Sequence, residues 1–337
     1  MIRHTLHTGP FDFEAGGHLE DLTIVYHTSG CREGKVIWIC HALTANSDPE
    51  DWWPAMVGEG KVLDTRKYFI VCVNFLCSAY GSSGPASVNP ETGKPFFFDF
   101  PKTTIKDIVG TFDYVRKELG IKHIDLLIGS SIGGFQAIEW AAKEPGLFSQ
   151  VLFSATAPLI SPWLAAQAEA QRMALEADSS FREARSLQGG VQGLRCARAQ
   201  ALISYRSFRG YGLTQQEKDP DFLFAERPAS YEQHQGSKLL ARGFDAYSYY
   251  YLCYVLDSHN IGRGRGSVAK ALGTITTETT VITIDTNHIF PPEEAEQWVG
   301  AIPGVQYHLL HSDFGHDGFL LETEQFTKII EPILCKF

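Results

Sequence analysis

The apolar positions of this chain fall into two rhythms. Short, nearly unbroken apolar runs occur at Lys35 to Cys40, Tyr68 to Asn74, Ile124 to Ile128 and Val151 to Ser154. Runs of that length suit strands buried on both faces of a sheet. Between the second and third of them, Ile105, Ile108, Val109, Phe112, Val115 and Leu119 recur at helical spacing, opened by Thr104 with Asp107 and stopped by Gly120. Strand, helix and strand in succession predict parallel pairing. Ahead of these, residues 11–29 read as a hairpin whose best strand is Leu22 to Tyr26. The rhythm changes at Ser161-Pro162, an N-cap followed by a proline suited to a first helical turn. From there to about residue 265 the chain reads as helices rich in Ala, Gln, Arg and Tyr. Strand patterns return at Thr280 to Ile284 and Val305 to Leu310. The expectation is an α/β core with a mostly parallel sheet, residues 1–160 and 266–337, split by a helical lid insertion at residues 161–265.

The junction between the Ile124 strand and the helix after it reads Gly129-Ser130-Ser131-Ile132-Gly133, a G-x-S-x-G match. Five residues alone are a weak signal, but a strand before and a helix after are the context the motif requires. A sharp turn there lifts the Ser131 hydroxyl out of the sheet, and a helix N-terminus beside it favours negative charge. The plain alternative is a glycine-rich strand-to-helix turn with an idle serine. A serine hydroxyl also needs a base. In the α/β-hydrolase order of serine, acid and histidine, the last candidate is His316, after a strand and before a helix; a solvated surface histidine is the competing reading. His308 and His311 lie in or beside the strand and are less well placed. The acid belongs just beyond Ile284, where Asp285 is the first carboxylate; a turn-forming aspartate is equally consistent. Backbone N–H groups of Leu43, after the Lys35 strand, and of Ile132 are the candidates for an oxyanion hole. His41 reads as a structural histidine and Cys77 as a packing residue.

Composition narrows the partners. The 337 residues carry a formal charge of −10, with 44% hydrophobic and 20% charged positions. That balance argues against a nucleic-acid binder and, more weakly, against an anionic membrane surface. Seven cysteines, an odd number without a C-x-x-C pair, fit free thiols in a reducing compartment. No apolar run is long enough to cross a bilayer, and the first residues lack a signal-peptide core. A cytoplasmic location follows as the expectation. No H-x-x-x-H or C-x-x-C grouping with metal-ligand spacing occurs. Gly262-Arg263-Gly264-Arg265-Gly266 lacks a flanking strand and is no nucleotide fingerprint.

The longer motifs carry a resemblance. His41-Ala42-Leu43-Thr44, Tyr80 to Pro85, Gly129 to Gly134, Ile160 to Trp163, Ile203 to Ser207, Phe244 to Tyr249, Ile289 to Pro292 and Gly315 to Leu320 span nearly the whole chain. Together they resemble the homoserine O-acyltransferases of the α/β-hydrolase type. The resemblance implies acetyl-CoA as co-substrate with no bound cofactor or metal, homoserine as acceptor, a place in methionine synthesis, and a homodimer. It implies Ser131 as nucleophile and His316 as base, with Arg198 on the substrate carboxylate, Tyr205 beside it, and Asp317 on the substrate ammonium. Such a zwitterion needs one cation and one anion to aim its hydroxyl, and a planar guanidinium suits a carboxylate. Two positions depart from the family pattern. Asn287 stands where an aspartate is usual, leaving Asp285 or Asn287 as third member of the triad, and Ala79 stands where a cysteine is usual. An esterase on the same scaffold, a serine or succinyl-CoA variant, and a ligand-binding paralogue of impaired activity are the alternatives.

Overall fold

A computed structural model describes residues 1–336. Among the described residues ten strands form: β1 (Ile2–His7), β2 (Phe11–Asp12), β3 (His18–Leu19), β4 (Thr23–Gly30), β5 (Lys35–Cys40), β6 (Tyr68–Val73), β7 (Ile124–Ser130), β8 (Phe148–Ser154), β9 (Glu278–Ile284) and β10 (Gln306–Leu310). Eight of them make one sheet in the order β1-β4-β6-β5-β7-β8-β9-β10. β4 pairs antiparallel with β1 and β6, and every pairing from β6 to β10 is parallel. β2 and β3 form a separate two-stranded ribbon.

The expected early hairpin is therefore wrong in its partners. β4 covers most of the Leu22 to Tyr26 run but pairs with β1, which the apolar pattern does not reveal. β1 is an edge strand of mixed polarity (Ile-Arg-His-Thr-Leu-His) whose residues are mostly exposed. Strand recognition by burial fails for such an edge.

The inner strands bury both faces. In β5, Trp38 packs with Phe112 and Trp140 on one side, whereas Ile37 and Ile39 join Phe326 and Ile330 on the other. Alternation along the strand sends neighbours to opposite faces. The helices preceding the insertion are α1 (Pro49–Trp52), α2 (Ile105–Glu118) and α3 (Ile132–Lys143). Thr104 caps α2 in a reciprocal box with Asp107, as their spacing predicts.

Between β8 and β9 the chain folds as α4 (Pro162–Glu176), α5 (Ser179–Arg182), α6 (Val191–Tyr205), α7 (Phe208–Gln215), α8 (Glu226–Ala241), α9 (Ala246–Asp257) and α10 (Val268–Gly273). Ser161 caps α4 with Pro162 in its first turn. The Gly262 to Gly266 loop returns the chain to the core. There Arg265 makes a bidentate pair with the buried Glu139 of α3, at 2.6 and 2.9 Å. That loop is thus a structural clasp. α11 (Pro292–Glu296), α12 (Gly318–Leu321) and α13 (Thr323–Leu334) complete the helices. Among the described residues no helix is long and apolar enough to cross a membrane. Because β5, β7, β8, β9 and β10 run parallel, their following loops gather on one edge, under α6 and α8. Ligands of open α/β sheets bind at that edge.

Candidate active site

Ser131 sits between β7 and α3 with φ 59° and ψ −130°, a conformation that costs a non-glycine residue on the order of 1–3 kcal/mol. Its surroundings hold it there. The Ser131 N–H donates to Ser154 O at 3.1 Å, and Thr156 Oγ1 donates to Ser131 O at 2.9 Å. The flanking glycines are steric necessities. A Cβ on Gly129 would lie 2.3 Å from Gly133 O, and one on Gly133 would lie 2.1 Å from Cys40 O. The turn can close only where strand, helix and the end of β5 touch through bare backbone.

His316 reaches this serine from 185 residues further on, its Nε2 2.9 Å from Ser131 Oγ. It lies in a short 3-10 turn, Gly315–Asp317, after β10. Gly315 has φ +64°, and a Cβ there would meet Tyr205 O at 2.7 Å. The histidine turn therefore packs directly on the end of α6. The imidazole is almost fully buried among the rings of Tyr205, Phe290 and Phe319. Burial pushes its pKa down to about 3, so the ring is neutral across the physiological range.

The third position corrects the sequence expectation for Asp285. Its carboxylate turns outward, accepting from Ser312 N at 3.0 Å and lying 2.9 Å from His311 Nδ1. Among the described residues no hydrogen bond joins it to His316, and it instead ties the β9 turn to the loop carrying the histidine. Asn287 is the residue brought beside the imidazole, with Nδ2 3.2 Å from His316 Nδ1. Two residues of difference along this turn separate an exposed edge from a buried centre.

Ser131 and His316 open into a cavity of about 350 Å³ between the sheet edge and the insertion. Leu43 lines it. Ile132 opens α3, so its N–H is among the first-turn amides without an intrahelical acceptor. Arg198 and Tyr205 of α6 line it too, the guanidinium 5.1 Å from the ring centroid. The charges are unevenly matched. Arg242 pairs with Asp51 at 2.8 Å, and Arg206 pairs with Asp317. Arg198 Nη1 is buried without a hydrogen-bond partner among the described residues. The cavity thus holds one cation over its acids, a ready counter-charge for a carboxylate. Asp317 does not stand free: Arg206, which also donates to Tyr231 Oη at 3.1 Å, already covers it. Burial raises the Asp317 carboxyl against the pull of Arg206 and Arg198. Arg206, Arg242, Asp51 and Gln235, which also line the cavity, were not singled out in the sequence. Arg206 lies within the Ile203 to Ser207 motif; the others carry no local signal.

His41 and Cys77 keep the structural parts read for them. His41 stacks on Phe75 and bonds Ala42 O at 2.9 Å, its pKa lowered by burial to about 4. Cys77 is fully buried and donates to Thr103 Oγ1 at 3.2 Å, with burial pushing the thiol up to about 12. A thiol so far from ionisation is no nucleophile.

A family model of the α/β-hydrolase fold matches residues 35–323. A homoserine O-acetyltransferase of Chlorobaculum parvum is 40% identical, over 97% of this chain and 92% of its own length. The chain belongs to the homoserine O-acetyltransferase family. Family likeness extends to solved structures. The homoserine O-acetyltransferase of Bacillus anthracis superposes with a TM-score of 0.91 at 21% identity, covering 99% of this chain and 97% of that one. Esterase E22 superposes with a TM-score of 0.89 at 22% identity, over 99% of each chain. At that identity the likeness speaks for the fold alone, and homoserine O-acetyltransferase and esterase share it. Separating those two chemistries falls to the cavity.

Proposed function

We propose that this enzyme moves an acetyl group from acetyl-CoA to the hydroxyl of homoserine through an acyl-Ser131 intermediate, a step of methionine synthesis. The observation that carries the reading is the 2.9 Å approach of His316 Nε2 to Ser131 Oγ at the floor of a cavity lined by Arg198, whose buried Nη1 has no hydrogen-bond partner among the described residues. An esterase has no need of a guanidinium with an unsatisfied N–H in the cavity of its serine, whereas the carboxylate of an amino-acid acceptor would satisfy it. The names of the 34–40% identical relatives support the same acceptor.

In the first half-reaction the Ser131 oxygen attacks the thioester carbon. The oxyanion rests on the Leu43 and Ile132 N–H groups, whose preorganised dipoles act where charge develops. The serine proton passes by way of His316 to the departing thiolate. In the second half His316 takes the proton of the homoserine hydroxyl, which attacks the acyl carbon and frees Ser131. Arg198 would hold the carboxylate, and the ammonium would share Asp317 with Arg206. The helices α6 and α8 roof the cavity and limit the entry of water, whose attack on the acyl-enzyme is the competing fate.

The test follows free thiol during incubation with acetyl-CoA alone, with homoserine, and with serine, beside a succinyl-CoA series. Thiol release that requires homoserine and vanishes in Ser131→Ala is the expected result. Equal release without any acceptor would make the enzyme an esterase.

A further inference from the structure

The orientation of the Asn287 amide is fixed by the backbone around it. Its Oδ1 accepts from Ile289 N at 3.0 Å and from Phe290 N at 3.2 Å. An amide oxygen is the acceptor and the nitrogen only a donor, so the NH₂ group is the end that faces His316 Nδ1, at 3.2 Å. Both side chains are buried. With a donor pointing at it, Nδ1 must present its lone pair, and a neutral imidazole then carries its proton on Nε2.

We propose that Asn287 is a positioning residue that holds His316 in the Nε2–H tautomer, so that the resting site aims a proton at Ser131 where acyl transfer requires a lone pair. This rests on the acyl-serine reading above. The two escapes are both obstructed. Turning the amide over would set its NH₂ against the Ile289 and Phe290 N–H groups, leaving those buried donors without an acceptor. Moving only the imidazole proton to Nδ1 would set N–H against N–H. Protonating both nitrogens is opposed as well: the ring is walled by Tyr205, Phe290 and Phe319, Asp285 faces His311, and Asp317 is engaged by Arg206. An aspartate at position 287 would resolve the conflict. One carboxylate oxygen would keep both backbone N–H bonds while the other accepted from Nδ1–H, freeing Nε2 to receive the serine proton. In a serine-protease triad the reverse change, Asp to Asn, costs about 10⁴ in turnover through the wrong tautomer. The fold thus keeps the geometry of a fast acyltransferase while one atom, nitrogen for oxygen, governs its rate.

The experiment reads the tautomer directly, by nitrogen-15 NMR of imidazole-labelled full-length protein, with His316→Gln to assign the resonances. The wild type is expected to show a protonated Nε2 and a bare Nδ1, and Asn287→Asp the reverse. Asn287→Ala, which removes the donor, is expected to lose the preference. In acetyl-CoA turnover with homoserine, Asn287→Asp is expected to raise kcat by roughly 10²–10⁴ with little change in KM. A wild-type ring protonated on Nδ1 overturns the proposal. So does a switched tautomer in Asn287→Asp without a gain in kcat while the wild type turns over. If the tautomers behave as expected and neither protein is acylated on Ser131, the acyl-serine reading fails and the role of Asn287 as tautomer lock stands.

Discussion

The turns that follow β7 and β9 lie on the same sheet edge and converge on one histidine, yet they are built differently. The β7 turn is over-determined. Strained backbone at Ser131, two glycines in carbonyl contact and two hydrogen bonds, one with the end of β8 and one with Thr156 just beyond it, leave it a single shape. The β9 turn is held by side chains: Asp285 and Thr286 tie it to the loop carrying His316, and the amide oxygen of Asn287 takes two backbone N–H groups. A carboxylate oxygen could do that work equally well. At β7 the geometry and the chemistry come from the same atoms, so one cannot change without the other. At β9 the oxygen that shapes the turn and the atom that faces His316 are separate, so geometry can survive while the charge is lost.

The sharpest way to break this contrast is at Gly133. A Cβ there meets the Cys40 carbonyl at 2.1 Å, against backbone that cannot swing aside as a side chain would. Gly133→Ala is expected to cost about 3 kcal/mol, the upper end of overpacking effects, and to pull the Ile132 N–H away from the Leu43 loop. Urea unfolding and acyl transfer should fall together. Unchanged stability and rate would show that the β7 turn has slack, and the contrast would dissolve.

The same contrast explains what the sequence allowed to be read. Ser131 and His316 were legible because chain order and local pattern constrain them: a buried strand, glycines where Cβ atoms collide, and a histidine between the last strand and a helix. The third member was not legible, because it depends on which of Asp285 and Asn287 turns inward, and that is decided by the N–H groups of Ile289 and Phe290 rather than by residue type. A carboxylate was the better chemical guess and the worse geometric one. The pairing of Arg206 with Asp317 was likewise hidden, since it joins the end of α6 to a loop 111 residues away. In the fold, the buried parallel strands and the capped α2 were plain, whereas β1 was not, because an exposed edge strand leaves little apolar signal.

The response to acid tests the buried imidazoles. His41, His259 and His316 are all buried, with pKa values pushed down by desolvation to about 4, 3 and 3. Unfolding returns each to an ordinary histidine near 6.5. Between those limits the unfolded chain binds protons that the folded one refuses, so stability is whole above about pH 6.5 and falls as the pH drops toward 4. Each such histidine contributes up to about 1.4 kcal/mol per pH unit in that window. Thermal unfolding from pH 7.5 to 4.5 is expected to show a falling Tm, and His316→Gln a shallower slope. A slope unchanged by that substitution would mean that His316 charges in the folded state, and the β9 turn would then possess a counter-ion not accounted for by Asn287.

The smallest expected effect belongs to Asp285. Its carboxylate accepts from Ser312 N and lies beside the exposed His311, with a side chain one-third exposed. Solvent screening leaves such a pair worth little. In Asp285→Asn the side-chain oxygen can still accept from Ser312 N, so the histidine loop keeps its anchor. The expected change in kcat is less than about threefold, with a loss of stability within about 1 kcal/mol. Placed beside Asn287→Asp, this variant separates the two third-position candidates that the sequence offered. A large fall in kcat at unchanged stability would mean that Asp285 reaches the imidazole during turnover by swinging past Thr286, whose hydroxyl donates to Ser312 O at 2.6 Å. That bond would have to break first, so Thr286→Ala should then alter the rate as well. If neither substitution matters, charge on the β9 turn plays no part in the native chemistry, and the amide of Asn287 is the group with which His316 must work.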